Sequence, residues 1–81
     1  RFKNKLPPLD ALVSFEAAAR LQNFTAASKE LCISQSAVSQ NIRQLEESLG
    51  VQLFTRSHRT VTLNHLGKEY QHTVASTLEH L

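Results

Sequence analysis

The 81-residue sequence predicts a mainly α domain with one small β-hairpin, closing on a long C-terminal helix. Two observations predict this class. Apolar residues recur at spacings of three and four along four segments, and between the third and fourth the period drops to two. A composition of 41% hydrophobic and 20% charged residues, with two glycines and two prolines, is that of a globular chain and excludes a disordered one. A chain of this length forms a single domain that buries about 60 to 65% of its unfolded surface.

The elements follow in order. Arg1, Lys3 and Lys5 make a basic start that Leu6-Pro7-Pro8 interrupts. The Ala- and Leu-rich run from Leu9 to Leu21 is a first helix, with Leu12, Phe15 and Ala19 facing the core. Asn23 breaks it, and Thr25 is placed to N-cap a second helix from Ala26 to Leu31 or Cys32. Cys32 is expected as a small buried apolar residue at that helix end. As a single cysteine it excludes an internal disulfide framework and suits a reducing compartment. Ser34 caps a third helix that ends at Gly50, where a left-handed residue is commonly needed.

Next, Leu53-Phe54-Thr55 and Thr60-Val61-Thr62-Leu63 are short strands, with Arg56-Ser57-His58-Arg59 as a basic tip between them. A two-stranded hairpin is marginal alone and must pack on the helices. Asn64 caps a last helix from His65 to Leu81, where Leu66, Tyr70, Val74, Leu78 and Leu81 form a stripe. A helix of about 17 residues is barely stable alone in water, so that stripe needs either its own domain or a second subunit to cover it. The division expected is residues 1–63 for the compact part and 64–81 for the helix.

The third helix is the most informative segment. Val38, Ile42, Leu45 and Leu49 fall within about 40° of one another on a helical projection. Ser36, Gln40 and Arg43 lie opposite, with Gln35 and Ser39 flanking the N-terminal end. Surface helices ordinarily carry Lys and Glu, whereas Ser, Gln, Asn and Arg are side chains that hydrogen-bond base edges and phosphates. The plainer alternative is a solvated polar face.

Net charge is only +2, but residues 51–68 hold Arg56, Arg59 and Lys68 and no acid. Basic surface beside a polar helix is the electrostatic footprint of a phosphate-binding module. No apolar run approaches the ~18 residues of a membrane span, and the basic start lacks a signal peptide's apolar segment, so a cytoplasmic location is expected. A start at Arg1 suggests a fragment. His58, His65, His72 and His80 lie seven and eight apart rather than at the spacing of four common in helical metal pairs. With no nucleophile–base arrangement and no glycine-rich phosphate loop, neither an enzyme nor a cofactor or metal site is expected.

Two short helices joined by a tight turn, the second polar on its exposed side and followed by a basic hairpin, make a winged helix-turn-helix. Ordered motifs here carry a family resemblance: Phe15-Glu16-Ala17-Ala18-Ala19, Phe24-Thr25-Ala26-Ala27, Ser34-Gln35-Ser36-Ala37-Val38-Ser39 and Ile42-Arg43-Gln44-Leu45-Glu46. Leu49-Gly50, Leu53-Phe54-Thr55-Arg56, Val61-Thr62-Leu63 and Gly67 continue the series. From Leu6 to Leu81 the chain resembles the N-terminal DNA-binding domain of LysR-type bacterial transcriptional regulators.

The resemblance implies sequence-specific binding of duplex DNA, with the third helix in the major groove. Gln35, Ser36, Ser39 and Gln40 are then candidates for base edges, and Arg43 for a guanine or a phosphate, with phosphate favoured by its place towards the far end of the helix. Thr25 and Ser34 combine capping with phosphate contact or cap alone. Arg56, His58 and Arg59 sit on the wing at the minor groove or in a solvated turn. The last helix becomes a linker through which a homodimer pairs, with a tetramer in a longer protein and a partly palindromic operator. Ser36 stands where many members have Pro, and Gln40 where many have Arg, which shifts the expectation from guanine towards adenine or a water-mediated contact. A helical protein-binding module is the alternative function, and it leaves the basic hairpin unexplained.

Overall fold

A computed structural model describes residues 7–57 and 60–79. Among these the order is α1 (Leu9–Leu21), α2 (Phe24–Leu31), α3 (Gln35–Leu49), β1 (Phe54–Ser57), β2 (Thr60–Leu63) and α4 (His65–Glu79). The three N-terminal helices pack on one another, the hairpin follows α3, and α4 returns to lie against α1 and β2. This is the winged helix-turn-helix architecture that the sequence predicts.

Two helix starts illustrate how local chemistry sets the boundaries. Ser34 caps α3 as expected, its Oγ accepting from the Ala37 N–H at 3.0 Å. For α2 the expected cap is wrong. Asn23 Oδ1 accepts from the Ala26 N–H at 2.8 Å, so the helix begins at Phe24 and Thr25 already lies inside it. The reason is the buried Phe24 ring, 8% exposed, which draws its backbone into the helix two residues before the Ala26 start that a Thr25 cap would give. Cys32 differs too. It is exposed, in a left-handed conformation (φ 59°) at the C-cap of α2, where the backbone turns away from the core.

Edge-to-face aromatic pairs organise the core. Phe24 meets Phe54 at 5.5 Å, Phe54 meets Phe15 at 5.7 Å, and Phe15 meets Tyr70 at 5.4 Å. One run of rings therefore joins α2, β1, α1 and α4, each pair contributing about 0.5–1.5 kcal/mol beyond its buried area. Val38, Ile42, Leu45 and Leu49 are all buried, which places the predicted stripe of α3 against these rings. Asn41 Nδ2 donates to the buried Ser14 hydroxyl at 2.8 Å, fixing α3 along α1.

The stripe of α4 is covered at least in part by its own domain. Val74 and Tyr70 are 2% and 8% exposed within this one chain, and Leu66 and Leu78 are partly buried against the same core. These residues cover their own domain, because the Phe15 ring and the hairpin leave an apolar surface that α4 closes. Leu81 lies outside the described residues.

The entry into α4 is unusually close. Asn64 Oδ1 accepts from the Gly67 N–H at 2.8 Å while its Nδ2 donates to the Gln52 carbonyl at 2.9 Å. A Cβ at Gly67 would stand 2.1 Å from the Leu53 carbonyl oxygen and 2.8 Å from Leu63 Cδ2.

Helix propensity alone predicts that Gly67→Ala stabilises the chain by up to about 1 kcal/mol. The contact with Leu53 predicts the opposite sign: a loss of about 2 kcal/mol or more, read as a lower urea midpoint. Burial raises the Tyr70 phenol above its ordinary value of 10.0. An acid whose folded-state pKa is raised contributes stability below its unfolded value and loses it as pH rises through the folded one. Melting temperatures should therefore fall above pH 10, and Tyr70→Phe should remove that part of the fall.

Candidate nucleic-acid interface

The helix-turn-helix is built from α2, three connecting residues and α3. Its turn is closed by the Cys32 N–H on the Lys29 carbonyl at 3.3 Å and the Ile33 N–H on the Ser28 carbonyl at 3.1 Å. With one side of α3 buried, its polar side stands free. Gln35, Ser36, Gln40 and Arg43 are exposed and Ser39 is half-buried. These five side chains share one face, as the helical projection of the sequence places them.

Charge narrows which part of that face suits DNA. Glu47 is exposed in the last turn, on the same side as Gln40 and Arg43. A carboxylate there repels phosphate, so the N-terminal half of α3, with its positive dipole end, is the end fit for a groove. Arg20 is not available, because its guanidinium is held by Glu16 at 2.9 Å and by Glu30 on α2. The Arg20 contact holds the Glu30 carboxyl below its usual range, and hydrogen bonds to Glu16 first and Glu30 second raise Arg20 above its own. Lys29, Arg43 and Lys68 are exposed, and Arg43 is the one arginine without a salt bridge among the described residues.

The wing is shorter-tipped than the sequence suggests. β1 extends to Ser57 and pairs antiparallel with β2 in the register Phe54↔Leu63, Thr55↔Thr62, Arg56↔Val61 and Ser57↔Thr60. Arg56 thus belongs to a strand, not to the tip, because the Phe54 anchor sets a register that continues two residues further. His58 and Arg59 remain between the paired ends and lie outside the described residues. Arg56 also has a partner: its Nη2 donates to Glu46 Oε1 at 3.2 Å, and its guanidinium carbon sits 5.9 Å from the centre of the Phe24 ring. This arginine fastens the wing to α3 and α2.

Glu46 is the residue that sequence reasoning passed over. Its carboxylate is 8% exposed and accepts from the Leu53 N–H at 2.8 Å and the Phe54 N–H at 3.3 Å, in addition to Arg56. The root of the hairpin is therefore hydrogen-bonded to the helix that carries the polar face. The available signal was an acid standing directly beside Leu45, at the edge of an apolar stripe where solvated carboxylates are rare. Among the described residues no buried side-chain nitrogen or oxygen lacks a partner, and no group of three metal-ligating side chains occurs. No helix among them is long and apolar enough to cross a membrane.

Removing Glu46 leaves two buried amide donors and a guanidinium without their acceptor. Glu46→Ala should lower stability by about 2–4 kcal/mol, and Glu46→Gln, which keeps one acceptor, by less. Amide hydrogen exchange at Leu53 and Phe54 checks the cause: both should speed up in the alanine variant before the amides of α1 do.

Comparison with known proteins agrees with this geometry. Residues 9–68 match the family described as bacterial regulatory helix-turn-helix protein, lysR family. A glycine cleavage system transcriptional activator homolog of Haemophilus influenzae is 53% identical over 66 residues, covering 82% of this chain and 22% of the relative. The regulator DsdC of Escherichia coli is 52% identical over 73 residues, covering 90% of this chain and 24% of the relative. The chain thus spans under a quarter of the length of these relatives. Among solved structures, oxidised OxyR of Corynebacterium glutamicum superposes with a TM-score of 0.88 at 38% identity, covering 95% of this chain and 24% of that one. The BenM DNA-binding domain in complex with catB site 1 DNA gives 0.85 at 36% identity, covering 90% of this chain and 81% of that one. The chain belongs to the LysR family of bacterial regulatory helix-turn-helix proteins.

Proposed function

We propose that this chain is the DNA-reading domain of a bacterial transcriptional regulator and binds duplex DNA sequence-specifically. The observation that carries the reading is the exposed N-terminal half of α3, a face of Ser and Gln with an uncommitted arginine beside it. The hairpin is held at a fixed angle to this face by Glu46. Relatives solved as DNA complexes, BenM and CbnR, support it.

In this reading Gln35, Ser36, Ser39 and Gln40 meet base edges in the major groove, and Arg43 meets phosphate. Ser34 caps α3 and faces phosphate with its neighbours. His58 and Arg59 reach the adjacent minor groove from the wing tip, while Arg56 positions the wing instead of touching DNA. A homodimer presenting two such faces to a partly palindromic site is part of the proposal. Its contact is limited to the flanks of α4 that own-domain packing leaves open, with the partly buried Leu66 and Leu78 at their edge. The cytoplasm is the proposed location and no catalytic activity is assigned.

Selecting bound sequences from a random duplex pool, then titrating the winner and a scrambled duplex at several salt concentrations, tests the reading. Preference for the selected site should reach about a thousandfold or more at matched salt. Equal affinity for both duplexes would sink it and favour a protein-binding module. Gln35→Ala should cost about 1–3 kcal/mol at one base step, whereas Arg59→Ala should weaken all sequences and lower the salt slope by about 1.

A further inference from the structure

Thr25 and Gln35 are ten residues apart, and the turn of the helix-turn-helix brings them together. Thr25 is the second residue of α2 and Gln35 the first of α3, and both are exposed. Thr25 Oγ1 donates to Gln35 Oε1 at 3.1 Å. The capping of α2 is carried by Asn23, so the Thr25 hydroxyl is not engaged by its own helix end. We infer that Thr25 is a positioning residue for base recognition, holding the Gln35 amide in one orientation before DNA arrives. This inference rests on the DNA-reading role proposed above.

The last torsion of a glutamine is broad and roughly two-fold, so a solvated amide offers a groove either its oxygen or its nitrogen. With the Thr25 hydroxyl donating to its oxygen, the Gln35 amide turns its NH2 group away and leaves both hydrogens for the DNA. Threonine suits this role because its β-branch restricts χ1, so the group that orients the amide is itself held. Discrimination between bases depends on which edge of the amide meets which edge of the base. A side chain ordered in the free protein also loses less freedom on binding. Thr25 therefore acts on sequence preference through Gln35, not through its own contact with phosphate.

The test uses the full chain carrying Gln35→Ala, Thr25→Val, Thr25→Ser or the Gln35→Ala/Thr25→Val pair, each selected against a random duplex pool. Gln35→Ala identifies the base step that Gln35 reads. Thr25→Val should flatten preference at that same step by about three- to tenfold, leaving other steps and the salt slope unchanged. Thr25→Ser should restore it, and the double variant should be no flatter than Gln35→Ala alone. In the free chain, the Gln35 side-chain amide protons should shift in Thr25→Val and not in Thr25→Ser, a readout that general loss of stability does not mimic. Uniform weakening across sequences with a shallower salt slope would make Thr25 a phosphate contact and overturn the inference. So would an untouched Gln35 step. If the unaltered chain selects no sequence, the functional reading fails and this inference with it. If it selects one and Thr25→Val leaves it intact, only this inference fails.

Discussion

One buried carboxylate sets the relation between the two parts of this molecule that face outward. Glu46 projects from α3 into the root of the hairpin and accepts from two backbone amides and one guanidinium. A charge so little exposed is costly unless its lone pairs are all engaged, and here the partners come from the strand that must be placed. A hairpin of four-residue strands has no stability of its own to fix its angle. Its direction relative to α3 follows from where that carboxylate can be satisfied.

Around this contact the core works as a set of layers sharing one run of rings. Phe54 and Phe15 are its inner members, Phe54 touching Phe24 on α2 and Phe15 on α1, and Phe15 touching Tyr70 on α4. Because Phe54 is also the first residue of β1, the strand register begins from a side chain embedded among the helices. Arg56, two residues on, returns along the same face of the strand to Glu46 and Phe24. Placement of the wing thus depends on an alternation of two residues, apolar then cationic.

Much of this was legible in the sequence, and what was not has identifiable physical causes. The stripe of α3, its Ser34 cap and its Gly50 stop follow from local rules, since each needs only neighbours within a turn. The presence of the hairpin follows from the change of period, but its register does not, because Arg56 and Ser57 pair with Val61 and Thr60 where the sequence suggests a turn. The start of α2 did not, because Asn23 and Thr25 are both good caps and only the burial of Phe24 chooses between them. The stripe of α4 was visible, but periodicity says that a face is covered and not by what. Tyr70 and Val74 find their cover in Phe15 and its surroundings. Glu46 and Arg56 were hidden for the opposite reason: their role exists only between elements ten residues apart, which no local pattern reports.

The close passage at Gly67 has a mechanical side. Backbone lies directly on backbone there, with the Asn64 amide bridging the Gln52 carbonyl and the helix end. The Leu63 side chain borders the contact, but the nearest atom to Gly67 is the Leu53 backbone oxygen. A tilt of α4 therefore loads the segment at residues 52–53, and through it the strand that Glu46 holds. The seat of α4 and the root of the wing are thus set together, and one cannot be shifted towards the other without displacing the Leu53 carbonyl.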